Sequence, residues 1–390
     1  MAASIRRNSF WLLLARLTAQ ALAILFTAII ARKLGVDDFG RFSFIASLVL
    51  IGNTFTNFGT DTFLVREIAR AGRITEIAAQ ALSLQLLLSL LYCFAMIAFR
   101  NTPLLFYSLA LFPLAIFSVN NALLRALNRM DLFWRLSLLN GAIQILAAFL
   151  SADVLTLCLF LFIGQVLLSA VSYSICRSSL PTFNLFPIKR FDPILKLILP
   201  FAALTILLVL IQRLGILSVS AMLDDAATGL FSSITRVVDG LKLGHYAILG
   251  ALLPALSSGN SASWNSFRRA FILLMAVSLF FSAILTFLAS PIILLLYGKD
   301  FIQASSLLVL LGWSLLPYTI SSFVSYSLIA RGYESDVVIS ALVSLFGNVI
   351  LYLALIPFAG LRGAIWSALI GECLQASVFT VYYLRRITNL

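Results

Sequence analysis

Twelve runs of mostly apolar residues follow one another along this chain, each about as long as the 20 helical residues that cross a hydrocarbon layer of about 30 Å. They lie at roughly 8–31, 42–64, 77–99, 104–124, 135–151, 154–176, 194–221, 228–256, 270–296, 304–330, 337–357 and 363–384. The connections between them reach about twenty residues at most, the longest running from Arg177 to Pro193, so no soluble domain fits between spans. Composition agrees: 62% of residues are hydrophobic and 11% are charged, against about 25% charged in soluble domains. The expected fold is all-α, a polytopic bundle of twelve transmembrane helices, with any activity inside it or at its mouths. The first run starts behind Arg6 and Arg7 like a signal sequence, but it continues to Ala31 without a small-residue cleavage site and is read as a retained span.

The formal charge of +12 arises from 27 basic and 15 acidic residues. In a soluble protein that excess would suggest nucleic acid; here no nucleic-acid partner is expected, because Lys and Arg accumulate in cytoplasmic loops and fix orientation. With the N-terminus inside, 17 of the 27 fall on the cytoplasmic side, among them Arg129, Arg190 and Arg268, while 6 fall outside. Both termini are then cytoplasmic, and Asp224 and Lys299 are external. Cys93, Cys158, Cys176 and Cys373 lie in or beside apolar runs without metal-ligand spacing and read as small core residues. No metal, cofactor or catalytic set is expected, and the chain is read as a non-enzyme.

The remaining four cations, Arg16, Arg213, Arg236 and Lys242, fall within the spans. Two of them share the run 228–256 with Asp239 and His245. Each charge at the centre of a membrane helix costs roughly 2.5–3.5 kcal/mol on insertion scales, so this run should face protein or water rather than lipid. Arg236, Asp239 and Lys242 follow at i,i+3 steps, and Asp239 is placed to neutralise either cation. If the run were a loop, every later loop would change sides and the positive-inside bias would reverse; it is kept as the eighth span. The four cations are candidate phosphate ligands, arginine offering a forked set of donors; the alternative is that they snorkel or pair structurally. Asp239, Glu372 and His245 are candidates for coupling to a proton or a sodium ion, Glu372 having no cation near it in sequence. The embedded amides, Gln85, Asn57, Asn120 and Asn348 among them, read mainly as interhelical glue. Arg66, Glu67 and Arg70 read as a solvated face or a gate at the inner mouth.

Leu34-Gly35-Val36-Asp37-Asp38-Phe39-Gly40-Arg41-Phe42-Ser43 closes the first span, and Leu223-Asp224-Asp225-Ala226-Ala227-Thr228-Gly229-Leu230-Phe231-Ser232 closes the seventh. Leu, Gly, Phe and Ser match at a constant offset close to half the chain. Two six-helix lobes in parallel orientation, related by a pseudo-two-fold axis, are the natural reading, with boundaries at 1–180 and 181–390.

The stretches 29–49 (IIARKLGVDDFGRFSFIASLV), 57–70 (NFGTDTFLVREIAR), 296–317 (LYGKDFIQASSLLVLLGWSLLP), 328–342 (LIARGYESDVVISAL) and 348–372 (NVILYLALIPFAGLRGAIWSALIGE) resemble the Wzx-like polysaccharide and O-antigen flippases. These belong to the multidrug, oligosaccharidyl-lipid and polysaccharide exporter superfamily. The resemblance implies two six-helix lobes around a central cavity that opens alternately to the two sides of a bacterial inner membrane. It implies an undecaprenyl-pyrophosphate-linked oligosaccharide as cargo, surrounding membrane lipids, and polymerase or glycosyltransferase neighbours. A drug or metabolite exporter of the same superfamily is the alternative, though the embedded charge here is basic. A membrane glycosyltransferase or polymerase would need longer external loops, and the Gly-x-x-x-Asp-Arg signature of major-facilitator transporters is not met, because Asp61 follows Gly59 without an adjacent Arg.

Overall fold

A computed structural model describes residues 2–71, 74–179, 192–257 and 261–388. Among them there are helices and no strands. The order is α1 (Ala2–Asn57), α2 (Thr60–Ala71), α3 (Ile74–Met96), α4 (Thr102–Ser108), α5 (Leu111–Ala126), α6 (Met130–Leu150) and α7 (Val154–Ser179). There follow α8 (Asp192–Met222), α9 (Asp225–Ser257), α10 (Ser261–Leu296), α11 (Ala304–Gly312), α12 (Leu315–Ala330) and α13 (Glu334–Thr388). Eight helices are long and apolar enough to cross a membrane, or nine if α11 and α12, bent by 40°, form one span. Two of them hold two arms each: α1 turns at Gly35 (φ +77°) and α13 at Gly360 (φ +54°), a left-handed conformation that glycine adopts without Cβ strain. The apolar runs of the sequence therefore all fall on helices or helical arms. α9 is not among these eight, although its 33 residues are long enough to span.

Two local features differ from the sequence reading. Residues 32–41 are helical on both sides of Gly35, so the first connection is a corner rather than a loop. The second run is interrupted: Phe58 (φ +48°) and Gly59 (φ +75°) turn the chain from α1 into α2.

The chain divides into two compact units, residues 1–35 with 45–209, and residues 36–44 with 210–390. The boundary expected at 180/181 falls outside the described residues. Each unit runs through the same local order. In the first, a 3-10 turn (Ile97–Phe99) and a left-handed Arg100 lead into the short–long pair α4–α5, and a left-handed Asn128 leads into α6. In the second, left-handed Gly298 and a 3-10 turn (Lys299–Phe301) lead into the short–long pair α11–α12, and left-handed Gly332 leads into α13. Left-handed residues serve as C-terminal stops that free the chain to change direction between spans.

The core of unit 1 gathers Leu64, Leu82, Val119, Leu123, Leu136 and Leu168. The Lys33 ammonium donates to the carbonyls of Ala148 (3.2 Å) and Phe149 (2.6 Å), closing the C-terminal end of α6 where orphan carbonyls and the negative end of the dipole favour a cation. Asp153 opens α7 by accepting from the Thr156 backbone N–H (2.8 Å), which holds its carboxyl below the usual carboxylate range. In unit 2, Phe39 packs edge-on against Phe301 with ring centroids 5.6 Å apart, and Phe267 stacks on Phe323 at 4.1 Å. Phe287 and Phe358 stand more than four-fifths exposed on helices, as lipid-facing side chains do.

The two repeat motifs meet inside unit 2. A Cβ on Gly40 would collide with the Asp225 carbonyl oxygen, and a Cβ on Gly229 would collide with the Val36 carbonyl oxygen. Each oxygen belongs to the residue four before the opposing glycine, so the contact is reciprocal, as at a two-fold crossing of small residues. The Arg41 guanidinium lies beside it, donating to Asp225 (2.7 Å) and Asp38 (3.3 Å).

Candidate functional site

α9 carries the candidate charges on one unbroken helix. Residues three apart drift by about 60° around a helix of 3.6 residues per turn, so Arg236, Asp239, Lys242 and His245 wind from one face to the opposite one. Their environments follow that winding. His245 is buried among α9, α10 and α12, its Nε2 at 3.1 Å from Ser278 Oγ and 2.8 Å from Thr319 Oγ1, with the two hydroxyls 2.8 Å apart. Thr319 also donates to the Leu315 carbonyl (2.8 Å). This triangle ties three helices together.

One step back along α9, the Lys242 ammonium lies 2.6 Å from Glu372 Oε1 and 4.0 Å from Asp239 Oδ1. Asp239, the expected neutraliser, is the more distant acid; Glu372 arrives from the second arm of α13. The Lys242 and Glu372 side chains are 15% and 18% exposed, whereas Asp239 is 41% exposed. The ammonium also sits over the Tyr318 ring of α12, 4.6 Å from its centroid, where the ring's negative face favours a cation. Glu372 Oε2 is buried and receives no hydrogen bond among the described residues.

Arg213 on α8 lies within electrostatic reach of Arg236 and Asp239. The Nε of Arg213 and the Nε of Arg236 are both buried and find no acceptor among the described residues. Buried Tyr352, from the first arm of α13, stands within electrostatic reach of Glu372 and Asp239. Gly215 lets α8 approach it, because a Cβ there would lie 2.6 Å from the Tyr352 hydroxyl. α8, α9 and α13 thus bring Arg213, Arg236, Asp239, Lys242 and Glu372 into electrostatic reach of one another in unit 2, with three cations against two acids. Arg16 is exposed on the first arm of α1, in unit 1. The side chains of Arg66 and Arg70, and the whole of Arg190, fall outside the described residues.

Unit 1 holds a polar network that the sequence reading passed over. Asp61 accepts from Ser118 Oγ (2.7 Å) and from the Arg125 guanidinium (3.0 Å), and Asn57 donates to the same Ser118 hydroxyl (3.0 Å). Thr60 donates to the Asn57 carbonyl (2.6 Å) and accepts from Gln85 (2.5 Å). The local signal was present: Asn57-Phe58-Gly59-Thr60-Asp61 inside an apolar run reads as a stop, a left-handed turn and an acidic first helical turn. Among the embedded amides, Asn120 donates across helices to Ser172 (3.0 Å), as a glue residue does, whereas Asn348 donates within α13 to the Ser344 carbonyl (2.8 Å). No group of three or more His, Cys, Asp or Glu that could hold a metal ion occurs among the described residues.

Comparison with solved structures places this fold. A multidrug resistance MATE family transporter of the MOP superfamily, inward-facing, superposes with a TM-score of 0.75 at 16% identity over 95% of each chain. The lipid II flippase MurJ, in an inward closed conformation, gives 0.70 at 18% identity over 96% of this chain and 86% of its own. A MOP superfamily transporter from Pyrococcus furiosus, described as having a binding pocket of reverse polarity, gives 0.69 at 16% identity over 99% and 95%. At these identities the likeness is one of fold. No curated protein matches the sequence. Residues 5–260 match the family described as polysaccharide biosynthesis protein, about two thirds of the chain and all but the last four spans. On that match, this multi-pass membrane protein belongs to the polysaccharide biosynthesis protein family, carried on the fold of the MOP transporters.

Proposed function

We propose that the protein is a flippase that carries a lipid-linked oligosaccharide, an undecaprenyl-pyrophosphate glycan, across the bacterial inner membrane by alternating access, with both termini cytoplasmic. The observation that carries this reading is the cationic cluster of unit 2. Embedding Arg213, Arg236 and Lys242 is costly, and structural pairing accounts for only part of that cost: Lys242 has Glu372, while Arg213 and Arg236 keep buried Nε donors without acceptors among the described residues. A pyrophosphate supplies several charged oxygens at once and satisfies forked guanidinium donors and a point-like ammonium together. The glycan follows through water and the polyprenyl tail stays in lipid. Membership of a polysaccharide biosynthesis family and the fold shared with a lipid II flippase support the same cargo class. An exporter of cationic drugs is the second reading, and three embedded cations against two acids weigh against it.

The test is complementation in a bacterium lacking its own flippase, scoring surface glycan with membrane levels checked by blot. Arg236→Ala and Lys242→Ala are expected to abolish surface glycan per unit of protein in the membrane, a ratio that absorbs the lower level expected when Lys242→Ala strands Glu372. Arg236→Lys keeps the charge and loses the fork, and its residual function measures how much the fork contributes. Full complementation by the Arg236→Ala, Lys242→Ala double variant would leave the cluster as structural pairing.

A further inference from the structure

Resting on that reading, we infer that the Glu372 carboxylate is the chain's own stand-in for the cargo phosphate on Lys242, and that cargo binding displaces it. Four observations lead there. First, Lys242 pairs only loosely with the acid one turn away, Asp239 at 4.0 Å, and closely with Glu372 at 2.6 Å on the second arm of α13. The pair therefore joins α9 to the second arm of α13. Second, Glu372 uses only half of its capacity, since Oε2 is buried without a donor. A carboxylate retained purely as a structural partner normally fills both oxygens, because an unmet lone pair in a low-dielectric site forfeits much of the Coulombic gain.

Third, the neighbouring donors exceed what one carboxylate can satisfy. Arg213 and Arg236 lie in the same cluster with unmatched Nε hydrogens. A pyrophosphate reaching Lys242 gains those donors as well, whereas Glu372 reaches Lys242 alone, so the exchange favours the multivalent anion. Fourth, the charged and titratable groups around the pair come from every helix of the cluster: Arg213 on α8, Arg236, Asp239 and His245 on α9, Tyr318 on α12 and Tyr352 on α13. Asp239 remains at hand to hold Lys242 when Glu372 leaves. In the empty carrier Glu372 keeps the embedded ammonium neutralised and α9 fastened to α13. The arriving pyrophosphate takes its place and releases that fastening.

The experiment measures binding of farnesyl pyrophosphate, a short polyprenyl pyrophosphate, to the full-length protein in nanodiscs, by intrinsic tryptophan fluorescence. Displacement predicts that Glu372→Gln binds about tenfold tighter than the unsubstituted protein, because the competitor is gone, a coupling of the usual size between two sites. Asp239→Asn removes the same charge without opening the pair and is expected to change affinity by less than about threefold, which separates displacement from a general gain in positive potential. Glu372→Asp keeps the charge on a shorter arm and should bind tighter by an intermediate factor; it decides the matter if Glu372→Gln does not fold. Unsubstituted protein that binds farnesyl pyrophosphate, with Glu372 variants no tighter than Asp239→Asn, overturns the displacement and leaves the proposed function standing. Absence of binding by the unsubstituted protein and all variants instead overturns the proposed function itself, and the displacement with it.

Discussion

Unit 1 and unit 2 run through the same local order of helices, yet they keep their internal ion pairs in different places. In unit 1 the pair is Asp61 with Arg125, beside the break at Phe58 and Gly59, and the side chains are 36% and 28% exposed. Its acid sits in the first turn of α2, where the positive end of the dipole favours it, and the Ser118 hydroxyl donates to the carboxylate oxygen that Arg125 leaves free. One pair of unit 2 is Lys242 with Glu372, Lys242 on a helix that does not break, half as exposed, and with one carboxylate oxygen unmet among the described residues; another, Arg386 with Asp336, ties the two arms of α13. The first pair closes a helix start and is fully explained by it. The Lys242–Glu372 pair is less exposed and less fully satisfied among the described residues, as the proposed ligand role of Lys242 requires.

The comparison breaks most visibly at Lys242. Lys242→Ala leaves Glu372 embedded without its cation and should lower thermal stability in detergent by about 3 kcal/mol, much of it recovered in the Lys242→Ala, Glu372→Ala double variant. An equal loss in Asp61→Asn would erase the distinction between the two pairs. Next come the reciprocal glycines. Gly40→Val and Gly229→Val each push a side chain into the opposing backbone carbonyl and should each cost about 1–3 kcal/mol by the same melting assay. Matching losses sharpen the two-fold character of the crossing; tolerance at one position alone contradicts it.

Asp61→Asn keeps the hydrogen-bonding shape and removes only a partly exposed charge interaction, so about 1 kcal/mol or less is expected. The smallest effect belongs to Arg41→Ala: its bridges to Asp38 and Asp225 are largely exposed, a few tenths of a kcal/mol are at stake, and the loss should vanish in 1 M salt.

The helices were legible because apolar length is a one-dimensional property; each run needed only its own residues to be recognised. The Gly40–Gly229 crossing was foreshadowed by the repeat, since only small residues at matched positions allow such an approach. The partner of Glu372 was not legible. It lies 130 residues away, and the i,i+3 arithmetic that paired Lys242 with Asp239 describes what a straight helix permits, not which acid tertiary packing brings closer. Asp61 was missed for the opposite reason: its run was read for length, and the Asn-Phe-Gly-Thr-Asp turn signal within it was given no weight. His245 was visible as an embedded imidazole, but only the arrangement of α10 and α12 shows Ser278 and Thr319 closing around it.

The central claim is that the cations of unit 2 recognise the pyrophosphate of a lipid-linked glycan and that transport depends on them. Proteoliposomes loaded with a fluorescent undecaprenyl-pyrophosphate oligosaccharide, with translocation read by accessibility of the glycan to an impermeant quencher, test it directly. The account predicts translocation by the unsubstituted protein and none above protein-free vesicles for Arg236→Ala, Lys242→Ala at equal reconstitution. Translocation by the double variant at the unsubstituted rate would contradict it.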